Sequence, residues 1–520
     1  MNITRNDTLG EFIYRELDKN DYLNQLYKNL IYNYSIKLFN LNLKLQDIND
    51  KDLLRFADLL SKSCFTDKSD FHKNISQNIV VLENIIGNQS IIKTAYSSSV
   101  LKTLGNYAGL MLLQPNSFKE NYNDSILEKA YSSSKMQALK MPDENDEKYY
   151  LHIQKNILNE MNEDLLSYSG PTSMGKSMLM KKYVASCLAK KENKNYAIII
   201  PSKALINEVS DDFIKGLNNE LKENNYIVVT SAGSLALERK ANYLFVMTPE
   251  RLLYLMIKYP DINISSIFID EAHKISSNDD RSSFYYKIIE MAYYKNQSTK
   301  FVFASPNIPN PEVYTKIVTK LYQNNNHSLP VVIHSEFSPV VHIQYYIDFI
   351  TNKVQVYNDL RNDFDFVCNM NSSDSPLLDI SLSKFIKDYG KYDLELQSLV
   401  YCNSKDLAIN YAIEYAKQCD DLKIDELNEF AKLIERDIDQ DYLLPELIKK
   451  GVAYHVGYLP AYIREQIEKL YRSKKIRTIF CTSTLIEGVN LPANNLFILN
   501  YNKGSKPMSA VEFKHMVGRV

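Results

Sequence analysis

From Leu9 to Phe39 the chain reads LGEFIYRELDKNDYLNQLYKNLIYNYSIKLF, with apolar residues returning every three or four positions. That spacing lays an apolar stripe along a helix, and the same texture continues to about residue 145. The polar, turn-forming run PDENDEK (142–148) marks the expected end of this helical region. Beyond it the pattern changes. Short apolar runs alternate with helix-length segments: DLLSYS (164–169), AIIIP (197–201), IVVT (227–230), LFVMT (244–248), SIFID (266–270) and KFVFAS (300–305). Such alternation predicts a parallel sheet covered by helices on both faces. A second set follows in SLVYC (398–402), VAYHV (452–456), RTIFCT (477–482) and LFILNY (496–501). The predicted fold class is therefore α/β. A helical region spans 1–145, a first α/β domain 146–335 and a second 336–520, the last opening on a connection of strand-like and helical pieces over 336–395.

Composition narrows the class. The 520 residues are 45% hydrophobic and 24% charged, enough apolar material for several cores. A formal net charge of −2 gives no global basic field, so nucleic-acid binding must use local patches. Six cysteines are scattered without a C-x-x-C pair, which argues against a zinc frame and fits thiols in a reducing cytoplasm. The start MNITRNDTLGEF has no apolar leader segment, and the run LGNYAGLMLL is too short to cross a bilayer. A cytoplasmic protein with no membrane partner is expected.

Chemistry enters with GPTSMGKS, from Gly170 to Ser177. It fits G-x-x-x-x-G-K-[ST], follows an apolar strand and opens a helix, the context a phosphate loop requires. Gly170, Pro171, Thr172, Ser173, Met174 and Gly175 would wrap the phosphates with backbone N–H groups. Lys176 would reach the β- and γ-phosphates, and Ser177 would hold Mg²⁺. SIFIDEAH places Asp270 and Glu271 just past a second strand. Asp270 suits a second metal ligand and Glu271 suits the positioning of an attacking water.

Asp-Glu-Ala-His (270–273) together with this loop resembles a superfamily 2 helicase of the DExH type, and the resemblance covers residues 150–520. It implies two RecA-like domains in tandem, ATP and Mg²⁺ as cofactors, and single-stranded or partly duplex nucleic acid as partner, DNA favoured. Gln154, after Tyr149 and Tyr150, resembles the family's adenine-reading glutamine. PSKALINE (201–208) and TPERL (248–252) resemble motifs Ia and Ib, which grip strand phosphates; Ser202, Lys203, Thr248 and Arg251 are the residues concerned. Asn403 and the pair Thr482 and Ser483 fill the corresponding places in the second domain. GVAYHVGYLPAYIREQIEKLYRSKKIRTIFCTSTLIEGVNLPA (451–493) is similar to the Ski-like branch, whose members include 3′-to-5′ DNA-repair helicases. There Gly488 and Asn490 would face the nucleotide, while His455 reads better as a core histidine.

Two departures stand out. Ser305-Pro306-Asn307 occupies the place of the family's Ser-Ala-Thr. FKHMVGRV (513–520) resembles the last motif but stops after its first Gly-Arg, at Gly518 and Arg519. Arg519 is the candidate catalytic arginine, and the missing second Gly-Arg suggests a truncation within the second domain. An arginine finger is worth about 10³–10⁵ in rate, so a nucleotide-gated sensor with weak turnover is the rival expectation. Asn-Lys-Gly at 502–504 suggests a hairpin or a plain surface loop. Abundant Asn, Lys, Ile and Tyr point to an AT-rich bacterial genome. They tilt the expectation toward an anti-phage defence helicase working with an effector such as a nuclease docked on residues 1–145; the family resemblance extends to helicases of the Hachiman type.

Overall fold

The computed structural model describes residues 8–65, 69–88, 90–113, 125–142, 148–190, 193–231, 241–276, 280–322, 328–369, 396–483, 485, 491–504 and 506–518. Contacts divide it into two compact units, Met1–Asn156 with Glu336–Ser381, and Ile157–Ser335 with Leu382–Val520.

The first unit opens with helices α1 (Leu9–Asp18), α2 (Asp21–Leu38), α3 (Asp50–Lys62), α4 (Ser69–Ile86), α5 (Ile91–Leu104), α6 (Tyr107–Leu113) and α7 (Ile126–Leu139), and the chain then enters α8 (His152–Glu160). Their starts are set locally. Thr8 and Glu11 form a reciprocal capping box on α1, and Asn20, Asn49 and Ser90 cap α2, α3 and α5 through their side-chain oxygens. Leu23, Leu30, Leu53, Ile79 and Val100 meet in one core.

The second unit begins with a seven-stranded sheet, all of whose strand pairs are parallel. The chain runs β1 (Leu165–Ser169), α9 (Lys176–Ala189), β2 (Tyr196–Ile199), α10 (Lys203–Gly216), α11 (Asn218–Glu223), β3 (Tyr226–Val229), β4 (Asn242–Met247) and α12 (Pro249–Lys258). It continues through β5 (Ser266–Ile269), α13 (Ser282–Lys295), β6 (Lys300–Ser305), α14 (Glu312–Thr319) and β7 (Val331–His334). The sheet order is β3-β4-β2-β5-β6-β1-β7. Central strands such as LLSYS and SIFI are buried along their whole length, as strands covered on both faces must be. Phe245, Ile267, Phe301, Leu252 and Ile288 fill one face, each contributing about 1.5–3 kcal/mol by leaving water.

The chain next forms a three-stranded antiparallel sheet, β8 (Tyr345–Asp348), β9 (Lys353–Asn358) and β10 (Asp363–Asn369), and then a four-stranded parallel sheet, β11 (Ser398–Tyr401), β12 (Val452–His455), β13 (Thr478–Cys481) and β14 (Asn495–Ile498), in the order β12-β13-β11-β14. The two parallel sheets are the expected tandem α/β lobes. A short hairpin, Asn502–Lys503 with Lys506–Pro507, precedes a last helix, Ala510–Val517. So the turn at Asn-Lys-Gly is a hairpin and not a plain loop.

One boundary differs from the sequence expectation. The sequence pattern starts the second domain at residue 336, but residues 336–369 belong with the N-terminal helices. Val354, Val356 and Val367 share the core of α2–α5, and Asn78 of α4 donates to Asp359 Oδ2 at 3.1 Å. The alternating Val354-x-Val356 pattern gives a strand with one apolar face, and that face is buried against the helices. None of the six cysteines, all among the described residues, forms a disulfide.

Candidate nucleotide site

β1, β6 and β5 are neighbours, so the loops leaving their C-terminal ends emerge side by side, the usual ligand edge of such a sheet. After β1 the chain turns through Gly170 and Pro171 and makes one tight turn, Thr172–Met174. It then passes through Gly175 at φ 72°, a left-handed conformation that suits glycine, straight into α9. Gly170 packs against Met174: a β-carbon there would lie 2.5 Å from Met174 Cε. These contacts fold the loop back over the start of α9, whose unpaired N–H groups make an anion site.

Lys176 is buried, and its Nζ donates to the carbonyls of Gly170 (3.4 Å) and Pro171 (3.3 Å). Ser177 Oγ donates to Asp270 Oδ2 at 3.2 Å. This bond joins the phosphate loop to the acidic strand end across 93 residues. Burial and the neighbouring Glu271 charge push the Asp270 carboxyl up, against the opposing pull of Lys176, the Glu271 N–H and Ser177. A cation at this point would relieve that repulsion. Glu271 sits at φ 53°, uncommon for a residue with a β-carbon, with its N–H on Asp270 Oδ1 at 3.0 Å. Glu271 Oε2 lies 3.2 Å from His273 Nδ1.

The second lobe reaches the same loop. Val511 of the last helix packs against the first-lobe core, and a β-carbon on Gly518 would lie 1.5 Å from Thr172 Oγ1 and 2.8 Å from its Cβ. Arg472 also pairs with Glu208 of α10 at 3.2 Å.

The strand-gripping candidates are spread over the two lobes. Ser202 caps α10 by accepting from Leu205 N–H, and Lys203 beside it is exposed. Thr248 is buried at the start of α12. Arg251 is held by Thr230 O at 2.8 Å. Asn403 follows β11, its Oδ1 buried without a hydrogen-bond partner among the described residues. Thr482 N–H donates to His455 O at 3.4 Å, and half-buried Ser483 follows it. His455 is a core residue bonded through Nε2 to Glu468 at 3.0 Å. Gln154 lies in the first unit, where Oε1 accepts from Leu151 N–H at 2.8 Å. Gly488, Asn490 and Arg519 lie outside the described residues. Sequence reasoning passed over Ser169, whose hydroxyl ties the loop after β6 to β1.

The residues present fit a nucleoside triphosphate with a divalent cation. Three buried oxygens around the loop, Thr172 Oγ1, Ser305 Oγ and Asn307 Oδ1, have no hydrogen-bond partner among the described residues. Ser177 and Asp270 form a hard-oxygen pair suited to Mg²⁺. Among the described residues no cluster of three or more His, Cys, Asp or Glu side chains forms a separate metal site.

A parallel sheet with this loop and this serine–aspartate pair defines a P-loop nucleotide-binding lobe. Residues 151–313 match the model of the DEAD/DEAH box helicase family. Over 402 residues it is 26% identical to the DExH-box ATP-dependent RNA helicase DExH9 of Arabidopsis thaliana, covering 69% of this chain and 38% of that protein. It is likewise 26% identical over 388 residues to the ATP-dependent DNA helicase Hel308 of Thermoplasma volcanium, covering 72% and 51%. The chain thus spans about half or less of these relatives' length. The solved structure of the DUF1998 helicase MrfA bound to DNA aligns with TM-score 0.49 at 16% identity, over 74% of this chain and 48% of that one. Among the described residues no helix is long and apolar enough to cross a membrane.

Proposed function

We propose that the chain is an ATP-driven motor on nucleic acid, a superfamily 2 helicase of the Ski-like branch. The observation that carries it is the Ser177–Asp270 hydrogen bond at 3.2 Å, which joins two motifs 93 residues apart into one site. Lys176 supplies a buried positive charge for the β- and γ-phosphates, and Ser177 and Asp270 hold Mg²⁺. Bound at these residues, Mg²⁺ neutralises charge that develops on the phosphates. Glu271, oriented by its left-handed turn, positions the attacking water. Gly488, Asn490 and Arg519 act from the second lobe, with Arg519 on the developing phosphate charge. Gln154 is the adenine-reading candidate. Ser202, Lys203, Thr248, Arg251, Asn403, Thr482 and Ser483 hold the strand by its backbone, which makes binding salt-dependent and weakly sequence-specific. DNA is the favoured strand, with 3′-to-5′ movement. The setting is cytoplasmic anti-phage defence, in which residues 1–145 dock an effector such as a nuclease.

Lys176→Ala should abolish nucleic-acid-stimulated ATP turnover, read as phosphate release with and without single-stranded DNA or RNA. Turnover that persists in the variant removes the assignment. The altered Ser305-Pro306-Asn307 favours a second reading, a nucleotide-gated sensor. Tight strand binding by the wild-type chain with no hydrolysis would support that reading instead.

A further inference from the structure

In the second lobe the order β12-β13-β11 sets three loops side by side at the C-terminal edge of the sheet. Two backbone bonds fix their spacing. Thr482 N–H donates to His455 O at 3.4 Å, and Cys402 N–H donates to Cys481 O at 2.8 Å. The loop after β13 carries Thr482 and Ser483, and the loop after β11 carries Asn403, all three strand-backbone candidates. The loop after β12 carries an aromatic side chain instead. It is a tight turn closed by Leu459 N–H on Val456 O at 3.2 Å. Val456 and Leu459 are buried, which pins both ends of the turn, yet Tyr458 between them keeps 54% of its surface in water.

A lone exposed aromatic residue is ordinary on a protein surface. Tyr458 differs in its neighbour. Lys405 Nζ lies over its ring, 5.5 Å from the centroid. Lys405 opens the helix Lys405–Ala416, just past the Ser404 cap and Asn403. The pair therefore joins the loop after β11 to the loop after β12, across the end of β13 that leads to Thr482. Parallel strands are about 4.8 Å apart, so the contact bridges about 10 Å of sheet edge. Asn403 Oδ1, in the same loop as Lys405, is buried without a hydrogen-bond partner among the described residues. An amide oxygen only accepts, and an ionised phosphate has no proton to give. Among the groups of a nucleic-acid strand, a base N–H or a sugar hydroxyl supplies that donor.

We propose that Tyr458 is a stacking platform for one base of the bound single strand, with Lys405 on the phosphate beside it. A phenol ring offers a flat face to any base, so the contact tolerates sequence. The turn fixes the backbone at Tyr458, and the ring has only two rotatable bonds, so little freedom is lost on binding. Lys405 exchanges its contact with the ring for a phosphate oxygen, which is a full counter-charge. Contacts to phosphates treat a strand with bases and one without them alike. Tyr458 makes the chain respond to the bases themselves. The inference rests on the strand-binding reading above and deepens it.

The test uses the full chain and compares affinity for an oligothymidine strand with affinity for an abasic DNA backbone of the same length. The two carry the same phosphates, so phosphate contacts cancel in the ratio. Wild type should favour the strand with bases. Tyr458→Ala should weaken that strand about tenfold and leave the abasic one within about twofold, the loss of one stacked base. Tyr458→Phe should keep the wild-type preference, because the ring and not the hydroxyl stacks. Lys405→Ala should weaken both strands and lower the salt slope by about 0.7, one phosphate contact on a single strand. A Tyr458→Ala chain that keeps the wild-type preference overturns the proposal. So does one that loses both strands equally, since that is a structural role, and so does a wild-type chain with no preference. A wild-type chain that binds neither strand overturns the strand-binding reading itself, and the inference with it.

Discussion

Gly518 stands so close to Thr172 that a β-carbon on the glycine would fall 1.5 Å from the threonine hydroxyl. The two residues belong to different lobes, and their approach brings the last motif onto the phosphate loop. Gly518→Ala should therefore hold the lobes apart. The Thr172 hydroxyl can rotate away, but its Cβ, 2.8 Å from the new methyl, cannot. Overpacking of this kind costs about 1–3 kcal/mol, so turnover should fall by about five- to a hundredfold while the fold survives. Adding Thr172→Ala should restore part of the loss, and a double-mutant cycle on phosphate release measures the coupling.

Arg472 and Glu208 also join the lobes, but both are partly open to water, 41% and 29% exposed. An exposed ion pair is worth about 0–1 kcal/mol. Arg472→Ala should change turnover less than about fivefold, with the difference vanishing in high salt. A larger effect than that of Gly518→Ala would reverse the ranking of the two contacts.

The phosphate loop and the acidic strand end were legible because each is a short local pattern whose neighbours in sequence are its neighbours in space. The strand positions were legible for a related reason: runs such as LLSYS and SIFI are buried on both faces and so are short and mostly apolar, without a polar face. The role of Ser169 was not legible, since its partners lie 137 to 165 residues away. Ser202 illustrates another limit, because its hydroxyl serves as a helix cap and sequence alone does not separate a cap from a phosphate donor. The strands at 345–369 could be read from their alternation, but nothing local says which core receives Val354 and Val356. That is why the boundary at 336 was misplaced.

Asp359 gives the first unit a pH dependence. Burial pushes its carboxyl up to about 6, although Asn78 and Tyr27 donate hydrogen bonds to it. A raised folded value means that the protonated form is favoured by folding. The stabilisation is complete below the unfolded value of about 4 and is lost as pH rises through about 6. Protection factors of the α4 amides, which remove the intrinsic pH dependence of exchange, should therefore rise on moving from pH 7.5 to pH 5. Asp359→Asn should flatten that dependence and stabilise the unit at pH 7.5 by about 1–3 kcal/mol.

Lys93 and Glu83 form an ion pair at 2.9 Å with both side chains only 2% exposed. Burial raises the Glu83 pKa, and Lys93 opposes the shift. Lys93→Met should cost about 3–5 kcal/mol because it strands a buried carboxylate. The double variant Lys93→Met with Glu83→Leu should recover most of that. Denaturant unfolding of the three proteins checks the order.

The helical unit is assembled from two stretches of chain separated by the whole first lobe. Asn78 and Asp359, which touch, are 281 residues apart. During synthesis at about 5–20 residues per second, the ribosome needs on the order of ten to forty seconds to run from Asn156 to Glu336. For that interval the N-terminal helices wait with an uncovered apolar flank while the lobe bearing the phosphate loop is made, and by its end that lobe has all its strands. The part of the molecule made first is thus finished only after the first lobe, and a chaperone seeking a client on the nascent chain would find it there.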